Sequence, residues 1–300
     1  MISRVATQSG PRPMLLGIQN AHRDLMRAQE QVTTGKRINR VSDDPSDAVS
    51  ALNQRAALRR SEQHSRNADE AGAWLQASDA ALADVNDRLV NVRTLLVQAN
   101  SGSNDATSRA AIANQIRALR ESLLQSANTG RDGRPLFAGN AGGTQAYDSS
   151  GAYLGDAGTV VLPVSSGVSV QANRTGPEIF GTNNPSDPLN GDVFQMLDAL
   201  ATAVDNGDTA TIGAGIGLVD AATKRVATVQ VKVGSAAAQI EDLANSLQDE
   251  QVALKSGISK KENADFAESV IEFKTREAAY QASLQAAAKV LQPSLMDFLR

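Results

Sequence analysis

Apolar residues recur at alternating spacings of four and three over most of the outer thirds of this 300-residue chain. Such spacing places them along one side of an α-helix, and helices of this kind pack against one another along their apolar sides. Each such row of apolar residues is called a seam here. The seams are Met14, Ile18, Ala21, Leu25, Ala28 and Val32; Ala71, Leu75, Ser78, Leu82, Val85, Leu89, Val92 and Leu96; Ile112, Ile116, Leu119 and Leu123; Val219, Ala222, Val226, Val229, Val233, Ala236, Ile240, Leu243, Leu247, Glu250 and Leu254; and Phe266, Val270, Phe273, Glu277, Tyr280, Leu284, Ala287 and Leu291. We therefore predict a mainly α fold, an elongated antiparallel helical bundle or coiled-coil rod.

The middle of the chain has a different character. Twelve of the 23 glycines and five of the nine prolines fall between Gly130 and Gly191, together with short β-prone runs such as Thr159–Leu162. Glycine and proline at this density interrupt helices and favour turns and short strands. We expect a small β-rich insert domain here. The expected domains are terminal helices in 1–44 and 260–300, a helical rod in 45–134 and 192–259, and an outer β-rich insert in 135–191.

Composition excludes several classes of function. The chain has no cysteine, and its two histidines lack metal-ligand spacing, so we expect no cofactor, no metal and no catalytic site. The formal charge of −4 comes from 29 basic and 33 acidic residues mixed along the chain, which argues against nucleic acid as a partner. No apolar run reaches the roughly 18 residues of a membrane span, and the first residues lack the apolar stretch of a signal peptide. A structural protein is the expected class.

Local motifs carry weaker signals. Asp44 followed by Pro45 is typical of a helix N-terminus, because an aspartate caps the first turn and proline fits its first position. The alternative reading of Asp43, Asp44 and Asp47 is a site for a divalent cation. The glycine-rich run 213–217 lacks the spacing of a phosphate-binding loop, and we predict a turn there, before a helix that begins at Leu218. Gly257 is expected to end that helix.

Several segments together resemble the flagellin superfamily of bacteria. Gln31–Ile38 followed by Ser42–Ala48 is similar to the N-terminal signature of the superfamily, in which a helix ends in a Gly-Lys/Arg turn and restarts at Asp-Asp-Pro. Tyr280–Leu284 and Ser294–Leu299 resemble the C-terminal helix of its hook-associated junction proteins. Leu136, Phe137 and Gly139 match the Leu-Phe-x-Gly motif that opens the outer domain of those junction proteins, where flagellin usually has Phe-Asn-Gly.

The resemblance implies an extracellular structural subunit of the bacterial flagellum that joins the hook to the filament. It further implies export through the flagellar type III apparatus without a cleavable signal peptide. The implied partners are copies of the chain itself, the preceding hook-associated protein, flagellin and an export chaperone. Assembly would bury the terminal seams against neighbouring subunits, and the residues expected to carry it are Ile18, Leu25, Val32, Phe273, Glu277, Tyr280, Leu284 and Leu291.

Three questions stay open at the level of sequence. Glu277 interrupts an apolar seam, so it either faces a polar partner across an interface or points into water. The chain could be flagellin itself, which shares most of these features. It could also be a secreted coiled-coil protein whose β insert is a binding module.

Overall fold

A computed structural model describes residues 11–101, 104–165 and 167–291 of the chain. In these residues the chain forms seven α-helices and two small antiparallel pairs of strands, which confirms a mainly α fold with a small β-rich insert. The helices are α1 Pro11–Thr34, α2 Pro45–Ala99, α3 Ala106–Ala127, α4 Gly176–Phe180, α5 Val193–Asn206, α6 Thr209–Glu262 and α7 Phe266–Leu291; a 3-10 turn spans Pro188–Asn190. The strands are β1 Gly130–Arg131, β2 Arg134–Pro135, β3 Val161–Ser165 and β4 Val168–Gln171, with β1 paired to β2 and β3 to β4.

The chain divides into two compact units. The first unit comprises residues 1–60 and 250–300, and the second comprises residues 61–249. The long helices α2 and α6 contribute residues to both units. None of the helices in the described ranges is both long and apolar enough to cross a lipid bilayer.

The core of the second unit follows the seams expected from the sequence. Leu75, Leu82 and Leu89 of α2 are fully buried, as are Val219 and Val226 of α6. Each seam lies on one side of its helix, so helices that meet along these sides exclude water from both stripes. The seam spacing in the sequence therefore identified the core-facing side of each helix.

The sequence placed 192–259 in the helical rod but predicted only one long helix there, so the separate helix α5 was missed. Asp192 caps its start by accepting a hydrogen bond from the Gln195 amide at 2.9 Å, and Gly207 ends it in a left-handed conformation. Both are ordinary helix-end signals. Its apolar side is buried, including Phe194 and Leu200. These end signals were the clue available in the sequence, although 14 residues are too few to show a long seam.

The glycine-rich run is a second difference. The sequence predicted a turn at 213–217, but α6 begins at Thr209 and runs straight through it. A Cβ atom at Gly215 would overlap a methyl group of Leu200, so glycine at this position lets α6 approach α5 closely. Gly257 likewise lies inside α6, where a Cβ would come within 2.6 Å of Gln54 Oε1. Helix packing thus overrides the low helix propensity of glycine, which costs about 1 kcal/mol per residue.

The insert is organised around aromatic side chains and buried amides. Phe137, Tyr147 and Phe180 are almost fully buried, and the Phe137 and Phe180 rings meet edge to face with centroids 6.2 Å apart. Asn173 is also fully buried; its side chain donates to Gly158 O at 3.0 Å and accepts from Val160 N at 2.8 Å. These contacts tie the strand pair β3–β4 to the loop before it.

Candidate functional site

The first and last helices pack against each other in the first unit. The ring centroids of His22 and Tyr280 lie 5.4 Å apart, and Arg276 Nη1 lies 3.6 Å from Asp24 Oδ2. Few side chains along the pair are fully enclosed: Ala28 on α1 and Ala287 on α7 are the buried apolar residues in its described part. The α1–α7 pair is therefore held by contacts among small and half-buried side chains.

The α1–α7 pair leaves large apolar side chains in solvent. They are Leu15, Leu16 and Met26 on α1 and Phe266, Ile271 and Leu284 on α7, each at least 42% exposed. Four of these six, Leu15, Leu16, Met26 and Ile271, lie off the seams that the sequence defined, because counting at spacings of four and three follows a single side of each helix. Large apolar side chains left in solvent on two paired helices are candidates for burial against another protein.

The structure places the expected assembly residues along the same pair. Side chains of Ile18, Leu25, Val32, Phe273 and Tyr280 are half-buried, and Leu284 is exposed. Leu291 is the last residue of α7, and its side chain lies outside the described part of the structure.

Glu277 has its polar partner within its own helix. Lys274 Nζ lies 2.9 Å from Glu277 Oε2, one turn earlier on α7. The Glu277 side chain is about one-third exposed, so this ion pair is shielded on one side and open to water on the other. The carboxylate is therefore paired with a lysine of its own helix and also accessible to a neighbouring molecule.

The turn between α1 and α2 explains the N-terminal signature in physical terms. Gly35 ends α1 with a φ of +66°, a conformation that strains other residues, and its amide donates to Gln31 O at 2.8 Å. The next residues run antiparallel to the link between α6 and α7: Arg37 N donates to Glu262 O at 2.7 Å, and Ala264 N donates to Gly35 O at 3.0 Å. The turn after α1 is thus hydrogen-bonded to the link between α6 and α7.

Charged groups surround the start of α2 at Pro45. Asp44 Oδ1 accepts from the Asp47 amide at 3.1 Å, and Arg37 donates to Asp44 Oδ2 at 3.2 Å and to Asp47 Oδ2 at 2.6 Å. Lys261 Nζ donates to Asp47 Oδ1 at 2.8 Å. The Asp47 amide and then Arg37 lower the pKa of Asp44, and Lys261 and then Arg37 lower the pKa of Asp47.

These pairings argue against the cation site considered for the aspartates. Asp43 is also occupied, because its Oδ2 accepts from the Arg40 amide at 2.8 Å. Across the described residues, no group of three or more histidine or acidic side chains is arranged to hold a metal ion. The aspartates serve the turn and the start of the helix.

The Leu-Phe-x-Gly motif lies in the interior of the insert. Leu136 and Phe137 are fully buried, and Gly139 has a φ of +74°. A Cβ at Gly139 would overlap the backbone carbonyl and side chain of Asp156, so this position requires glycine for both its backbone and its space. The motif therefore serves the packing of the insert, and its residues are not a binding surface.

Comparison with known proteins identifies the family. The family models for the N-terminal and C-terminal helical regions of bacterial flagellin match residues 5–141 and 216–299. The flagellar hook-associated protein 3 of Escherichia coli (strain K12) is 28% identical over 94% of this chain and 95% of its own length. The flagellin of Bacillus subtilis (strain 168) is 27% identical over 85% of each chain.

A solved structure agrees with the fold. The structure of a putative flagellar hook-associated protein from Vibrio parahaemolyticus has a TM-score of 0.65 and 21% identity, and the match covers 74% of this chain and all of that one. This chain therefore belongs to the bacterial flagellin superfamily and, within it, to the family of flagellar hook-associated protein 3 (FlgL).

Proposed function

We propose that this protein is the structural subunit that joins the hook of the bacterial flagellum to its flagellin filament. The observation that carries the proposal is the apolar surface of the α1–α7 pair, which includes Leu16, Phe266, Ile271 and Leu284. The relative in Escherichia coli is named flagellar hook-associated protein 3. A terminal helix pair with an open apolar surface suits a subunit that is completed by its neighbours.

The physical basis of assembly is the burial of that surface. Fully burying a leucine, isoleucine or phenylalanine side chain contributes about 1.5–3 kcal/mol. Several such side chains buried together offset part of the cost of associating two molecules. The terminal segments 1–44 and 260–300 supply these contacts, whereas the aromatic side chains of the insert 135–191 are buried within the second unit, where they also contact Phe194 of α5.

The remaining parts of the proposal concern place and partners. The subunit acts outside the cell in the flagellum, reaches it through the flagellar export apparatus without a cleavable signal, and performs no catalysis. Its partners are copies of itself, the preceding hook-associated protein and flagellin, with a chaperone during export. Resemblance to the family supports this scheme, and the absence of cysteine is compatible with it.

Flagellin is the second candidate. The match to the Bacillus subtilis flagellin over 85% of each chain favours it, since flagellin and hook-associated proteins share the terminal helical regions. The two candidates differ in what happens after one layer has assembled. A junction subunit adds a short layer and stops, whereas flagellin adds to copies of itself indefinitely.

Deletion of the gene separates the two candidates. Cells that lack this protein should keep their hooks, grow no filaments and release unassembled flagellin into the medium, and the intact gene should restore filaments. If the deleted cells still grow full-length filaments, the junction function is wrong. Bare hooks with no flagellin in the medium would instead identify the protein as flagellin.

A further inference from the structure

An open groove runs between α2 and α6 in the second unit. It has a volume of about 570 Å³ and passes between residues 68–76 of α2 and 234–244 of α6. Buried Ala68 and Ile240 form its floor, and most of the other lining residues are alanine or glycine. Small side chains let another helix approach closely, because the distance between packed helices depends on the side chains at the contact. The α2–α6 groove, as it is called here, therefore has room for a helix.

Each wall of the α2–α6 groove carries one exposed carboxylate. Asp69 lies on the α2 wall, and Glu241 lies on the α6 wall. In the part of the chain that the structure describes, neither carboxylate forms an ion pair. A partner that enters the groove must cover an apolar floor and meet a negative charge on each side. The charges therefore favour a helix that is apolar along its middle and basic on both flanks.

The first turns of α2 have this arrangement. Val49 and Leu52 are each 53% exposed, and with Ala56 they follow spacings of three and four along one side of the helix. Arg59 and Arg60 are also exposed. Successive residues on a helix are about 100° apart, so Arg59 lies on one flank of this apolar side and Arg60 lies on the other. These five residues are called the α2 ridge.

A second copy of the chain is the partner that these charges favour. Every copy has both the α2 ridge and the α2–α6 groove, so the ridge of one copy can enter the groove of the next. The apolar side chains of the ridge would lose contact with water, and the arginine–carboxylate pairs would select one register. A contact between two different faces of identical subunits closes into a ring when the rotation between neighbours permits it. A ring is a single layer of subunits.

We propose that the α2 ridge of one copy docks into the α2–α6 groove of its neighbour, with Arg59 and Arg60 paired to Asp69 and Glu241. This contact rests on the proposed function for its setting, the junction layer, and it assigns the surface through which subunits of that layer meet side by side. It uses residues of α2 and α6 alone. It is therefore separate from the apolar surface of the α1–α7 pair and does not require those two helices to be packed in the isolated chain.

Cross-linking on intact cells tests which chain occupies the groove. The chain has no cysteine, so two differently tagged versions, one with Arg60→Cys and one with Asp69→Cys or Glu241→Cys, each carry a single thiol. A short bismaleimide should join the two tagged chains with at least one of the groove cysteines. Gln239→Cys is the matched control, because Gln239 is exposed on the opposite side of α6 from Glu241, and it should give little product. Equal yields with Gln239→Cys, or a product that contains a different protein, overturn the proposal.

Charge reversal in a complemented deletion strain tests the pairing. Asp69→Arg combined with Glu241→Arg should abolish swimming, because the groove would then repel the ridge, and adding Arg59→Glu and Arg60→Glu to that chain should restore part of it. Asp242→Arg, an exposed position outside the groove lining, should swim normally.

The outcomes separate docking from stability and from the proposed function. All four reversed positions are exposed, so the purified variants should melt within about 3 °C of the parent protein. Normal swimming of the doubly reversed chain, or no recovery in the fourfold variant, contradicts the docking. If the doubly reversed chain melts far below the parent protein, the cross-linking yields decide the proposal. If the unchanged gene restores no filaments, the proposed function fails, and cross-linking between copies still decides whether the ridge enters the groove.

Discussion

At the scale of single residues, Gly139 shows how one position specifies the insert. Its φ of +74° is unfavourable for a residue with a side chain, and a Cβ would overlap Asp156. Asp156 cannot move freely, because its Oδ1 accepts hydrogen bonds from Asn140 N at 2.6 Å and Gly158 N at 2.8 Å. Any side-chain atom added at Gly139 therefore disturbs the hydrogen bonds that Asp156 accepts as well as the local backbone conformation.

Gly139→Ala tests this requirement. It should lower the unfolding free energy of the second unit by about 2–4 kcal/mol, the sum of backbone strain and overpacking. Gly133→Ala is the matched control, since Gly133 has a φ of +78° with no atom near its would-be Cβ, and should cost about 1–2 kcal/mol. Urea unfolding measures both. If both variants lose the same amount of unfolding free energy, the overlap with Asp156 adds nothing to the cost of a side chain at Gly139.

Residue roles differ in how far they can be predicted from sequence. The cap formed by Asp44 before Pro45 is predictable, because its donor and acceptor are three residues apart. The contact of Arg37 with Lys261 is not, since no local pattern reveals a partner 224 residues away. Resemblance to a family marked the segment around Arg37 without giving a physical reason for it. The structure supplies that reason.

At the scale of elements, α7 presents two kinds of apolar residue. Leu284 is 42% exposed, and Ala287, one turn later, is buried. A charge at the first position remains in water in the isolated protein and is buried only in an assembly. A charge at position 287 would already be buried in the isolated chain.

Aspartate at position 284 should therefore affect assembly, whereas aspartate at position 287 should affect the stability of the monomer. Leu284→Asp should leave the melting temperature of the monomer nearly unchanged and prevent incorporation into flagella, because assembly would bury an unpaired carboxylate. Ala287→Asp should destabilise the first unit by about 2–3 kcal/mol in the monomer. Thermal melting and electron microscopy of complemented cells measure the two effects. Normal assembly of Leu284→Asp, or a large loss of monomer stability, would contradict the role of Leu284 in assembly.

Elements also differ in how far they follow from sequence. The long seams of α2 and α6 give their core-facing sides directly, because periodicity is a local property repeated many times. The start of α6 does not follow, since three glycines within five residues argue for a turn. The close approach of Leu200 explains the glycine at position 215, whereas Gly217 has no atom within 4 Å of a would-be Cβ. Tertiary packing decided the structure where local propensity was ambiguous.

At the scale of the whole molecule, the junction role requires that subunits stop adding to one another after a short layer has formed. A head-to-tail contact between identical subunits propagates without limit unless successive surfaces fail to match. A junction subunit must meet hook components on one side and flagellin on the other, so it should form a short layer. The sequence could suggest this role only by resemblance, because subunit contacts are not encoded in local patterns.

Immunogold electron microscopy of intact flagella tests the central claim most directly. With an antibody against this protein, gold particles should lie in one short zone between the hook and the filament. A secreted binding protein would leave the flagella unlabelled. Label along the whole length of the filament would contradict the account and identify the chain as flagellin.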